Sequence, residues 1–169
     1  MMLARRSLAL CVLLATAAST EVSGAAAANG AATALPADAT IAGQGYAELA
    51  EAWWRWAFRR PDGMRPSQDP TGAQCHDGQA GDVWFLAGTT GTGPVERTCR
   101  VPPGKAIFLP VMVALEYSVP GRRRDCGTLR AAARAVADGF LVNRVELDGV
   151  PLEPVRSMPR DCFDAFADA

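Results

Sequence analysis

Apolar and polar positions change period several times along the chain, and each change marks an expected element. Ser7–Ala18 is an almost unbroken apolar run behind Arg5 and Arg6, followed by small residues suited to cleavage at Ala15, Ala17, Ser19, Ala26 and Ala28. Residues 1–28 therefore read as an export signal that is removed. The run is too short to span a membrane, and nothing after it approaches the ~20 apolar residues a spanning helix needs. Residues 29–43, rich in Ala, Gly and Thr with the single charge Asp38, read as a flexible lead-in, which leaves 44–169 as a single domain.

At helical spacing Tyr46, Leu49, Ala50, Trp53, Trp54, Trp56 and Ala57 fall on one face, and Glu48, Glu51, Arg55 and Arg59 on the other. This predicts an amphipathic helix, with Glu51 and Arg55 in the favourable i,i+4 order for about 0.3 kcal/mol and Pro61 as its stop. Residues 61–80 lack apolar periodicity and form a long connection carrying Cys75 and His76. Asp82–Ala87 is a strand signal, and after a Gly-Thr turn over 88–93 the alternation in Val95–Val101 predicts its hairpin partner. Ala106–Leu115 is continuously apolar apart from Pro110 and is expected to be a buried strand at the centre of the core. Thr128–Asp138 predicts a short helix with Thr128 as N-cap and Gly139 as terminator. Phe140–Leu147 and Val150–Val155 flank Asp148-Gly149, a pair suited to a two-residue hairpin turn. The expected fold class is α+β: a Trp-rich amphipathic helix packed on an antiparallel β-sheet, or small β-sandwich, of about five strands, stapled by disulfides.

Composition sharpens this picture at the cysteines. Of five, Cys11 leaves with the signal, and Leu10 before it argues against a lipid anchor. Cys75, Cys99, Cys126 and Cys162 remain, an even set in an oxidising compartment, where pairing is the rule. Four cysteines allow three connectivities; pairing in chain order is preferred, and each loop would add roughly 3–4 kcal/mol in the chain-entropy model. Loss of Arg5, Arg6 and Glu21 leaves 15 basic against 17 acidic residues, so there is no basic field to gather nucleic acid. The one basic cluster, Arg122–Arg124, lies in a Gly- and Pro-flanked loop.

Four segments carry a resemblance: Trp53-Trp54-Arg55-Trp56; Asp69-Pro70-Thr71-Gly72 leading to Cys75; Gly81-Asp82-Val83-Trp84-Phe85-Leu86-Ala87-Gly88; and Arg97-Thr98-Cys99-Arg100-Val101-Pro102-Pro103-Gly104-Lys105. Together, over residues 44–152, they resemble a family of uncharacterised exported bacterial proteins. The resemblance implies a signal peptide and a β-rich domain, and no activity. It also implies further strands after the Asp148-Gly149 hairpin, where this chain ends soon after Cys162, a departure that points to a C-terminally truncated or a divergent product. A missing strand would leave a sheet edge open to pairing with another chain.

The candidate chemistry is thin. His76 is the sole histidine, and its neighbour Cys75 makes a redox or metal site conceivable only if the thiol is free. No Cys-x-x-Cys or His-x-x-x-His spacing supports zinc. The tryptophans suit sugar stacking, but a stripe at helical spacing is ordinarily core, most of all Trp53 and Trp84; Trp54 and Trp56 at the stripe's margins are the better ligand-contact candidates. Asp69, Asp77, Asp82, Glu96 and Glu116 are scattered, without the signature of a carboxylate pair, and Glu116 alone directly follows the apolar run. The Gly-rich 88–93 stretch joins two strands and does not open a helix, so it lacks the phosphate-binding dipole.

These residues predict no catalytic group, cofactor or metal. The expected protein is periplasmic or secreted, soluble and non-catalytic, a binding or structural protein that engages a ligand or cell-surface component, with Trp54, Trp56, His76 and Glu116 as ligand-contact candidates. A hydrolase using Glu116 or Asp82 is the alternative, and a redox or metal protein at Cys75 and His76 the second.

Overall fold

A computed structural model describes residues 33–89, 93–141 and 144–168; the expected signal peptide lies outside them, as do residues 90–92 of the expected turn. Helix α1 spans Tyr46–Phe58. It opens at Gly45, whose N–H donates to the Glu48 carboxylate at 3.1 Å and so satisfies one donor that the first turn would leave unpaired. Arg55 reaches Glu51 at 2.7 Å, as the i,i+4 spacing predicts. Leu49, Trp53, Trp56 and Ala57 are the buried residues, one stripe at helical spacing.

Strand β1, Val83–Phe85, pairs with β2, Ala106–Phe108, and the pairing is parallel, with Trp84 opposite Ile107. The expected antiparallel hairpin with Val95–Val101 does not form. That segment directs its hydrogen bonds elsewhere: Thr98 N donates to Thr71 O at 3.1 Å, Cys99 joins Cys75, and Arg97 reaches back to residues 67–69. With 95–101 held on the preceding loop, residues 86–105 become the crossover a parallel pair requires. The other edge of β1 is closed by a side chain: Gln79 accepts from Phe85 N at 2.9 Å and donates to Phe85 O at 2.8 Å, taking the place of a neighbouring strand.

The core is centred on α1, not on 106–115. Trp53 and Trp56 are each 5% exposed, Phe85 lies 5.8 Å from Trp56, and Phe108 meets Phe85 edge-to-face at 6.0 Å. Burial of each indole is worth on the order of 4–6 kcal/mol before entropy is counted. Both are also anchored, Trp53 Nε1 donating to Leu86 O at 2.8 Å and Trp56 Nε1 to Asp77 O at 2.9 Å. In the expected buried strand, β2 stops before Pro110, and Ile107, Leu109, Val111, Met112 and Val113 are 39–53% exposed. A two-stranded sheet covered by one helix has no second layer to bury them.

Helix α2 spans Cys126–Asp138 and begins two residues earlier than expected. Asp125 is the N-cap, accepting from Thr128 N at 2.9 Å, so Thr128 lies inside the first turn; Gly139 ends the helix as predicted. None of its residues is buried. Strands β3, Glu146–Leu147, and β4, Val150–Pro151, form the expected antiparallel hairpin in shortened form, with Asp148 (φ 53°) and Gly149 (φ 79°) both taking the positive φ that this turn demands. The chain then returns to α1, burying Ala165 and setting Phe166 against Phe58 at 4.8 Å. Cys75 pairs with Cys99 and Cys126 with Cys162, each with Cα atoms 5.7 Å apart, inside the window a disulfide requires. The described residues thus make a sparse α+β arrangement of two helices, two two-stranded sheets and two cystines, and no helix among them is long and apolar enough to cross a membrane.

Candidate functional site

Two features stand out: a knot of hydrogen-bonded loops and a large apolar cavity. The knot forms around Asp69, in the segment Asp69-Pro70-Thr71-Gly72. An aspartate two residues before a threonine favours a turn closed by its own carboxylate. Here one oxygen accepts from Thr71 N and Thr71 Oγ1, both at 2.9 Å, and from Gly72 N at 3.1 Å, while the other accepts from Gln74 N at 2.8 Å. Burial pushes the Asp69 carboxyl up, but these four donors outweigh it and hold the group at about 2. Gly72 has φ 85° and packs against the backbone of Thr98.

Arg97 closes the knot. Its guanidinium donates to the carbonyl oxygens of Asp69, Ala87 (2.8 Å), Gly88 (2.8 Å) and Ser67 (3.0 Å), so one planar fork joins the Asp69 loop to the segment leaving β1. Beside it, the Asp77 carboxylate holds Arg60 at 2.5 and 2.9 Å. That hydrogen bond, followed by the charge of Arg60, keeps Asp77 below the usual carboxylate range. The Asp69 carboxylate and the Arg97 guanidinium are both taken up by bonds between loops, which gives the knot a scaffolding role.

The cavity is different in kind. It is a half-open space of about 1560 Å³ between α1, β2 with the apolar segment after it, the lining face of α2, and the chain from Val145 to Phe166. Leu49, Trp53 and Trp54 form one wall, Phe108, Leu109 and Leu115 another, and Leu129, Ala133 and Ala137 of α2 a third. The charged side chains on its lining are largely engaged: Glu116 pairs with Arg124 at 2.7 Å, Arg156 with Asp138 at 2.6 Å, and Arg130 donates to Pro159 O. A smaller recess of about 290 Å³ lies at Ala52, Trp56, Arg59, Gly78, Phe85 and Asp168. Among the described residues no three His, Cys, Asp or Glu side chains gather as a metal site would require.

The four ligand-contact candidates separate. Trp54 lines the large cavity, half-buried and stacked on Phe58 at 5.4 Å with the rings 7° from parallel. Glu116 lines it too, through its ion pair. Trp56 is a core residue at the smaller recess, and His76 is exposed on the cystine loop and lines neither cavity. Cys75, paired to Cys99, presents no free thiol beside His76. Sequence reasoning missed Arg97, Gln79 and Asp69 as the residues that organise the loops; Asp69 and Arg97 stood in the resembling segments, but with no role attached to them. Comparison of the chain with protein-family models, with curated proteins and with solved structures finds no match.

Proposed function

We propose that this chain is an exported, periplasmic or secreted protein of the uncharacterised family its motifs resemble, and that it binds an apolar or amphiphilic molecule without transforming it. The observation that carries the reading is the cavity of about 1560 Å³, larger than the ~300–1,000 Å³ of ordinary ligand sites and walled by Trp54, Leu49, Phe108, Leu129 and their neighbours. A space of that size suits a long flexible chain or several fused rings. Its lining carries charges of both signs, with Glu116, Glu146 and Arg156 held in ion pairs, which favours neither a polyanion nor a polycation. Glu116, the preferred acid of a hydrolytic reading, is committed to Arg124, and the remaining acids weighed from sequence are dispersed over other loops.

The test is titration of the exported protein with N-phenyl-1-naphthylamine, an apolar fluorophore, read by its own emission and by quenching of tryptophan. Saturable binding at one equivalent, weakened at least fivefold by Trp54→Ala, is expected. Turnover of ester or glycan substrates that disappears in Glu116→Gln, without saturable dye binding, would replace this reading with the hydrolase.

A further inference from the structure

Helix α2 is attached to the rest of the protein in an unusual way. None of its residues is buried, yet Leu129, Ala133 and Ala137, spaced by whole turns, line the apolar cavity. Its fastenings all run to one short stretch of the returning chain: Cys126 to Cys162 through the cystine, Arg130 Nη1 to Pro159 O, and Asp138 to Arg156 at 2.6 Å. The ion pair is more than 60% exposed on both sides and holds little. The receiving stretch is itself tied to α1, by Phe166 on Phe58, by Arg55 over the Phe163 ring at 5.9 Å, and by Arg160 to Glu48 at 3.0 Å. The covalent link at Cys162 is thus the one strong bond between α2 and the tryptophan core. A helix of 13 residues with none fully buried is marginal by itself, even when rich in alanine.

The two cystines also differ in access. Cys126 and Cys162 are both exposed, whereas Cys75 and Cys99 are half-buried within the Asp69–Arg97 knot. Thiol–disulfide exchange needs the attacking thiolate to reach a sulfur, so an external dithiol meets the α2 cystine first.

We propose that α2 is a flap over the apolar cavity and that the Cys126–Cys162 disulfide is its redox latch. A dithiol reductant attacks one sulfur and forms a mixed disulfide; its second thiol displaces the protein, leaving two cysteine thiols and an oxidised, disulfide-bonded reductant. The cystine gains two electrons and two protons, and the reductant loses the same. With the bond open, α2 keeps a hydrogen bond, an exposed ion pair and the partial burial of Leu129, Ala133 and Ala137, and it swings away or frays, uncovering the wall formed by Trp54 and Phe108. The latch stands on the fastening of α2 alone; that its opening admits a ligand rests on the apolar-ligand reading.

The experiment is limited reduction of the folded protein with dithiothreitol, alkylation mapping of the thiols released, and amide hydrogen exchange on the same samples, with the Cys126→Ser/Cys162→Ser variant as a permanently unlatched form. Thiols are expected at Cys126 and Cys162 before Cys75 and Cys99. Exchange across 129–138 should accelerate at least tenfold, while 53–57 in α1 changes less than twofold. Release of Cys75 and Cys99 first, unchanged exchange in α2 after reduction, or loss of protection in α1 together with α2 would each overturn the latch; the last would mark the cystine as a global staple. Should the double variant fail to fold, the reduced wild-type sample decides. Association of N-phenyl-1-naphthylamine is read in parallel and should quicken at least tenfold on reduction. Accelerated exchange without dye binding in either form sinks the ligand reading and leaves the latch standing, whereas dye binding with unaltered exchange does the reverse.

Discussion

Trp56 Nε1 donates to the main-chain carbonyl of Asp77 at 2.9 Å, so the same indole that fills the core also pins the cystine loop to α1. The Asp77 carboxylate grips Arg60 at 2.5 Å, one turn further along the chain, so residues 56–60 and the loop are joined at both ends of a single residue. Core packing and loop position are coupled through Asp77, and the first prediction follows from that coupling.

Trp56→Phe keeps an aromatic ring but strands the Asp77 carbonyl; a loss of about 1–2 kcal/mol is expected, against about 3–5 kcal/mol for Trp56→Ala. Trp54→Phe, half-buried at the cavity wall, should cost less than about 1 kcal/mol. Urea unfolding of the three variants checks the order, and a larger cost at Trp54 than at Trp56 would show that the core has been misplaced.

Arg97→Lys replaces a fork serving four carbonyls with a point charge on a flexible stem. The expected destabilisation is about 3 kcal/mol, whereas the exposed Arg100 tolerates the same change within about 0.5 kcal/mol. The midpoints of chemical denaturation, compared at equal slope, decide this.

Asp69 gives the protein a pH signature. Its folded carboxyl sits at about 2, below the ordinary 3.8, so its contribution to stability is complete above about pH 4 and is lost as pH falls through about 2. Asp69→Asn turns an amide N–H₂ toward the Thr71 and Gly72 donors or toward Gln74 N, and should cost about 1.5–3 kcal/mol at neutral pH. The difference between wild type and variant should shrink below pH 3; a difference independent of pH would remove the ionised carboxylate from the account.

At Gly72 a Cβ would lie 2.7 Å from the backbone oxygen of Thr98, and φ is 85°. Gly72→Ala therefore suffers both clash and strain, for about 2–3 kcal/mol. Gly63, with φ 86° and open space around it, pays for the left-handed conformation alone, about 1 kcal/mol. Thermal melting of the two variants separates the terms.

Local rules were enough for part of this protein. The period of Tyr46, Leu49, Trp53 and Ala57 determined α1 and its buried stripe, Asp148-Gly149 determined a two-residue turn, Gly139 determined where α2 stops, and pairing in chain order was the preferred arrangement of the cysteines, because each of these depends on neighbours within a few residues or on a short list of choices. Tertiary structure alone decided that Val95–Val101 would bond to Thr71 and, through Arg97, to residues 67–69 instead of β1, that β1 would run parallel to β2, and that Gln79 would close its edge, since the competition among partners for backbone hydrogen bonds is settled only when distant loops meet. It also decided that the apolar run after β2 would face an open cavity instead of a packed core. Hydrophobicity says that a segment gains by leaving water; whether another layer is there to receive it is a property of the whole fold.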